Sequence, residues 1–271
     1  MPDSPSARSS FWLGCGLLLT PVLAAVTKIF AARISLDPSF GNALAFAGGA
    51  LVPLCGLGLA TRANVSLRVH VAVALGAAVI LGVLALRRVA PLTAMLCVDF
   101  ALVSLGWALG SAIGARVQHA PHLLPACVVA ACADTISLLS PEGPTHAIAE
   151  SERALSVVAT WFPVPGTNAL APALGLGDLL FSALVFGVAR AHGLPYLRAV
   201  ALALAGTVAA GVAAARFGVA IPALVPIAAA ILLGFPAIRK VRPADRAATT
   251  WSIAIASTLV IAVLARTLLA R

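Results

Sequence analysis

The sequence predicts an all-α fold, a polytopic integral membrane bundle of about nine transmembrane helices. Three observations carry that expectation. Of the 271 residues, 61% are hydrophobic and only 10% are charged, whereas soluble domains carry about 25% charged residues. The mean hydropathy is +1.06. Apolar runs close to twenty residues long recur along the chain, the length a hydrocarbon core of about 30 Å requires of a helix.

The runs fall at 11–32, 39–60, 67–86, 91–114, 121–139, 170–189, 195–215, 217–238 and 248–270. Most breaks between them carry Arg, Pro or Asp. The first run also has features of a signal peptide, with Arg8 before it and Ala24-Ala25 inside it. Its length, and Lys28 following without a clear cleavage site, favour a span. In the fourth run, Gly106, Gly110 and Gly114 share one helical face and allow close helix packing. Cys15, Cys55, Cys97, Cys127 and Cys132 all lie within apolar runs and form no C-x-x-C pair. They read as buried small hydrophobes, with no metal expected.

One connection is long. Residues 140–169 open with Pro141-Glu142-Gly143-Pro144, after which Ile148, Leu155, Val158 and Phe162 recur at helical spacing. Glu150, Glu152 and Arg153 fall off that stripe, so the segment predicts an amphipathic helix at the interface. Pro163, Pro165 and Gly166 end it. The chain thus divides into an N-terminal four-helix scaffold (1–120), a core (121–238) containing that loop, and a basic loop with a last span (239–271).

The net charge is +9, yet the basic residues sit mostly at the ends of apolar runs, as helix anchors do, which argues against nucleic acid as a partner. They divide almost evenly between the two faces, so the positive-inside rule sets no orientation. Only Lys28 and Lys240 are lysines; Arg and Ala dominate as in a GC-rich bacterial genome, which suggests a bacterial cytoplasmic membrane.

Six of the nine carboxylates (Asp3, Asp37, Glu142, Glu150, Glu152 and Asp245) lie in the tail or in connections. Asp99, Asp134 and Asp178 lie inside apolar runs, where an acid costs about 2.5–3.5 kcal/mol on insertion scales, so each is a functional candidate. Asp134 is five residues from the end of its run, and Asp178 is eight residues into the next one. At 1.5 Å per residue both lie roughly 8–12 Å below one membrane face. Two carboxylates brought together in low dielectric share a proton, one acting as general base on water and the other as general acid. Pro172, Gly175 and Gly177 interrupt the run that carries Asp178, and irregular backbone at membrane depth survives only beside a water cavity or buried in protein. Near the start of the eighth run, Ile221-Pro222-Ala223-Leu224-Val225-Pro226 predicts a frayed helix end.

Taken in order, Asp134-Thr-Ile-Ser-Leu-Leu-Ser-Pro141-Glu-Gly143-Pro144, then Gly175-Leu176-Gly177-Asp178, then Pro222-Ala223-Leu224 resemble the presenilin family of intramembrane aspartyl proteases, which includes the signal peptide peptidases. The resemblance covers about residues 123–238. It implies a presenilin-like core with Asp134 and Asp178 as the catalytic dyad. It also implies that Gly175, Leu176, Gly177, Pro222, Ala223 and Leu224 shape the site and contact substrate. Asp99 lies outside the motifs, eight residues from the same-face end of its run and so at about the depth of Asp178; it could join the site or bond to a neighbouring helix, and a structural or supporting role is favoured. The implied activity is hydrolysis of peptide bonds within transmembrane segments of other membrane proteins, in the bilayer and without metal or cofactor. Accessory subunits are left open, since presenilins act in complexes and relatives act alone.

Three features differ from the family pattern: Ala133 stands where Tyr is usual, four runs rather than five precede Asp134, and a span follows the Pro-Ala-Leu helix. The rival functions are a proton- or cation-coupled transporter using the same acids, and a catalytically inactive scaffold of the same fold. A prepilin-peptidase relationship fits less well, because the sequence around Gly-x-Gly-Asp differs and no Cys-pair domain is present.

Overall fold

A computed structural model describes residues 7–31, 33, 36–86, 91–140, 143–217 and 221–269. In chain order the elements are α1 (Ala7–Ala31), α2 (Pro38–Ala60), α3 (Leu67–Leu86), α4 (Pro91–Gly114), α5 (Leu123–Leu139), α6 (Pro144–Glu150) and α7 (Glu152–Val158). There follow β1 (Ala159–Pro163), β2 (Leu170–Gly175), α8 (Leu176–Ala191), α9 (Tyr196–Phe217), α10 (Leu224–Gly234) and α11 (Arg246–Leu269).

The chain is a multi-pass helical membrane protein. Among the described residues seven helices are long and apolar enough to cross a bilayer: α1, α2, α3, α4, α5, α9 and α11. Their apolar residues continue onto the outer faces, where Leu75, Val79 and Ile261 are more than 60% exposed, as suits helices solvated by lipid.

Two of the nine predicted spans take another form. Run 170–189 begins as strand β2, and only its remainder is helical; α8 is about 24 Å long at 1.5 Å per residue. Run 217–238 shortens to the eleven residues of α10, followed by a 3-10 turn at Pro236–Arg239. Neither helix alone matches a core of about 30 Å. The reason is local: Pro172 and Gly175 in the one, and Pro222 ahead of the other, withhold donors or favour extended backbone.

The amphipathic helix expected over 140–169 is likewise replaced. Two short helices, α6 and α7, meet at Ser151, and the chain then turns into an antiparallel hairpin. Thr160, Trp161 and Phe162 favour strand, and Gly166 takes the left-handed φ of +85° in the turn. Cα partners are Ala159 with Gly175, Trp161 with Pro172, Phe162 with Ala171 and Pro163 with Leu170, with an irregularity between Ala159 and Trp161. Pro141 and Glu142 lie outside the described residues; Gly143 precedes α6, and Ser137 Oγ accepts the Thr145 N–H at 2.9 Å.

The chain forms two compact units, Met1–Ala115 with Arg153–Ala191, and Arg116–Glu152 with His192–Arg271. This division cuts across the boundaries expected at 120 and 238. The hairpin and α8 join the first four helices, and α11 packs on α5.

In the first unit α8 lies parallel to α4, along its glycine stripe. A Cβ at Gly106 would lie 2.8 Å from Leu179 Cβ, and one at Gly110 would fall on the Leu180 carbonyl oxygen and 2.7 Å from Ala183 Cβ. The three glycines therefore do set a close helix approach. The hairpin is buried among α1, α2 and α4. Phe162 packs with Ala24 and Met95, Gly49 faces Ala173 and Phe162, and the Gly166 N–H donates to the Ala31 carbonyl at 2.9 Å. Strand backbone, buried in β1 and half-buried in β2, thus sits against helices of spanning length. In the second unit α5 packs against α10 and α11, and Gly206 of α9 lets the Ile227 backbone of α10 come close.

Candidate functional site

In the second unit, Asp134 lies on the last turns of α5, half-buried. Its Oδ2 accepts the backbone N–H of Leu224 at 3.0 Å, across 90 residues of sequence. Leu224 is the first residue of α10, and Ala223 before it offers no side-chain cap. The Asp134 carboxylate supplies the acceptor that the N-terminus of α10 otherwise lacks, at the positive end of the helix dipole. Pro222, Ala223 and Leu224 are all half-buried, and the Pro222 carbonyl accepts the Val225 N–H at 3.2 Å. Two motifs remote in sequence therefore meet within one unit. Ala133, where the resembled family has Tyr, is exposed.

In the first unit, Asp178 is the third residue of α8 and half-buried. Its Oδ2 accepts the N–H of Gly175, the last residue of β2, at 3.2 Å. This is the reach-back bond of a capping box, from the third helical residue to the residue preceding the helix. Leu176 is half-buried. Gly177 is exposed, and a Cβ there would meet nothing within 4 Å. Side-chain bulk is thus excluded neither by packing nor by backbone conformation at Gly177.

Asp99 is fully buried in α4 of the same unit. Its Oδ1 accepts the Trp161 N–H at 2.7 Å, beside the hairpin irregularity. There the side chain of Thr160 replaces a ladder rung: its Oγ1 accepts the Leu174 N–H at 3.1 Å and donates to the Leu174 carbonyl at 3.3 Å. Asp99 thus pins the strand. It is not level with Asp178, as the sequence had suggested. With Gly106 against Leu179, Asp99 lies seven residues earlier on a parallel helix, about 9 Å further along the axis than Asp178. The other oxygen, Oδ2, is buried without a hydrogen-bond partner among the described residues.

Asp134, Pro222, Ala223 and Leu224 thus belong to one unit, and Asp99, Gly175, Leu176, Gly177 and Asp178 to the other. Among the described residues no three His, Cys, Asp or Glu side chains converge as a metal site requires. Sequence reasoning passed over a polar group in the first unit formed by His70, Trp107, Ser111 and Arg190. The available signal was His70, an imidazole placed among apolar residues at the start of α3. Compared with protein-family models, with curated proteins and with solved structures, the chain matches none.

Proposed function

We propose that the chain is an intramembrane aspartyl endopeptidase with a presenilin-like core, in which Asp134 and Asp178 act as one dyad on transmembrane segments of other proteins. The observation that carries this reading is the Asp134–Leu224 bond. It joins the first aspartate to the Pro222-Ala223-Leu224 element, a pairing that the ordered motifs imply and that chance resemblance of short tripeptides does not. The Gly175-Leu176-Gly177-Asp178 element adds a second carboxylate at the start of a short helix, preceded by strand rather than helix.

The chemistry requires the two carboxylates to share one proton. The ionised one takes a proton from water, whose oxygen bonds to the scissile carbonyl carbon. The protonated one gives its proton to the carbonyl oxygen. As the tetrahedral adduct collapses, the C–N bond breaks, the nitrogen takes the proton that the first carboxyl drew from water, and one hydroxyl of the adduct returns its proton to the second carboxylate. The nine crossings of the sequence reading would then need β2 with α8, and α10 with its flanking turns, to act as broken spans.

One rival has an observation in its favour. A buried Asp99 oxygen without a partner, beside a non-helical segment, is also what a proton- or cation-coupled transporter would show. The deciding test is cleavage of a generic transmembrane peptide by the purified protein in detergent, with Asp134→Asn, Asp178→Asn and Asp99→Asn beside the parent. Protease action predicts loss in the first two and retention in the third. A parent that cuts nothing, or cutting that survives both dyad changes, removes the proposal; proton-coupled flux in vesicles then tests the rival.

A further inference from the structure

The first unit holds a polar cluster that neither the aspartates nor the hairpin uses. Around a cavity of about 250 Å³, α2 and α4 end, α3 begins and α8 ends. Its polar lining is Thr61, Asn64, His70, Trp107, Ser111 and Arg190, and among the described residues that line it none is Asp or Glu.

Arg190 is held in place by its own backbone contacts: Nη1 donates to the Thr61 carbonyl at 2.7 Å and to the Ala63 carbonyl at 2.6 Å. His70 stacks on the Trp107 indole, with ring centroids 4.7 Å apart and planes 15° from parallel. Its Nδ1 lies 3.0 Å from the Ser66 carbonyl, which can only accept. Its Nε2 lies 3.1 Å from Ser111 Oγ, whose own proton goes to the Trp107 carbonyl at 2.5 Å. Both ring nitrogens are thus engaged within the protein, and the ring rests on the indole face. The same pattern excludes Ser111 as a nucleophile activated by His70, since its proton is committed elsewhere. Two further groups of the lining, Trp107 Nε1 and Thr61 Oγ1, are buried with no hydrogen-bond partner among the described residues. Unpaired buried polar groups in a native fold call for a ligand or water.

We propose that this cavity binds a phosphate-bearing anion. A guanidinium, an indole N–H, a hydroxyl and an amide line it, and among the described residues of the lining no acid opposes them. A planar guanidinium held by its own backbone contacts suits phosphate in particular. The cavity lies at the ends of three helices of spanning length, the level of lipid headgroups, so the phosphate can come from a lipid or from a soluble compound.

The experiment uses the full chain in detergent, with two arms. One titrates inorganic phosphate against chloride at equal ionic strength and follows the thermal midpoint. The other adds phosphatidic acid or phosphatidylcholine and counts retained lipid by native mass spectrometry. The proposal expects binding in at least one arm, weakened about tenfold or more by Arg190→Gln, as loss of a charge-assisted bond requires, and weakened by Thr61→Val. The responding arm names the source. Thr61→Val removes only the hydroxyl, so it decides the matter if Arg190→Gln does not fold. No binding in either arm, or binding unchanged in the variants that fold, overturns the proposal.

Discussion

Asp134 has two jobs in the proposed enzyme, and Asn and Ala substitutions separate them. The structural job is to accept the Leu224 N–H at 3.0 Å where α10 begins. An Asn side chain keeps a carbonyl oxygen at that position, so Asp134→Asn retains the bond and loses only the charge at the helix N-terminus, worth about 0.3–1 kcal/mol. Asp134→Ala loses the acceptor as well. Removing an N-terminal cap costs about 0.5–2 kcal/mol, so the Ala variant should be the less stable of the two by roughly that amount. The catalytic job depends on ionisation, which an amide cannot supply. Positioned acid–base groups contribute about 10²–10⁴-fold, so both variants should cleave at least about 100-fold more slowly. The assay pairs thermal unfolding in detergent with mass-spectrometric scoring of a cleaved transmembrane peptide. The reasoning is refuted if Asp134→Asn melts as low as Asp134→Ala, which would deny the cap. It is refuted equally if Asp134→Asn cleaves at the parental rate, which would deny the chemistry.

The same logic extends to other positions. Asp178→Asn should keep the Gly175 bond and near-parental stability while abolishing cleavage, and Asp178→Ala should lose about 0.5–2 kcal/mol as well, read by the same two assays. Asp99→Asn should fold and cleave, whereas Asp99→Leu strands the Trp161 N–H and should cost about 1–3 kcal/mol in thermal or chemical unfolding. Gly110→Ala drives a methyl onto the Leu180 carbonyl and should destabilise by about 1–3 kcal/mol, while Gly76→Ala, with nothing within 4 Å of the added methyl, should not destabilise at all. Cleavage should follow a bell-shaped pH profile, since it needs one dyad carboxyl protonated and one ionised; a rate indifferent to pH across the acidic range would contradict a shared proton.

The long spans were legible because α1 to α5, α9 and α11 are each an apolar run of bilayer length, and nothing distant is needed to decide them. The hairpin was not. Ile148, Leu155, Val158 and Phe162 do fall at helical spacing, but Phe162 packs on Ala24 of α1 and Met95 of α4, partners that no local window contains. For the same reason a count of eight helical residues to Asp178 does not hold: six of them, 170–175, are strand β2, and this shifts Asp178 along α8 relative to Asp99. Gly106, Gly110 and Gly114 were correctly read as a packing face because their spacing is itself the signal, although α8 as the occupant was not. At the site, the order of motifs pointed to Asp134 and Pro222-Ala223-Leu224 as associates, but the bond that joins them spans 90 residues and is a fact of tertiary structure.

Both candidate aspartates sit at the N-terminus of a short helix, and this is not two coincidences. Pro222 ahead of α10, and Pro172 and Gly175 in β2 ahead of α8, each delay the start of a helix. A helix that starts late exposes its first unpaired N–H groups below the membrane surface rather than in water. Such groups need an acceptor from the protein, and a carboxylate is the strongest one a side chain can offer. Asp134 meets that need for α10 from a neighbouring helix, and Asp178 meets it for α8 from within its own first turn. Breaking a span therefore creates a demand for an acid whether or not any peptide is ever cut. A protease and an inactive scaffold of this fold share that demand. The difference lies in what the carboxyl must do beyond accepting one N–H. A scaffold is satisfied by Asn at both positions, and an aspartyl protease is satisfied by Asn at neither.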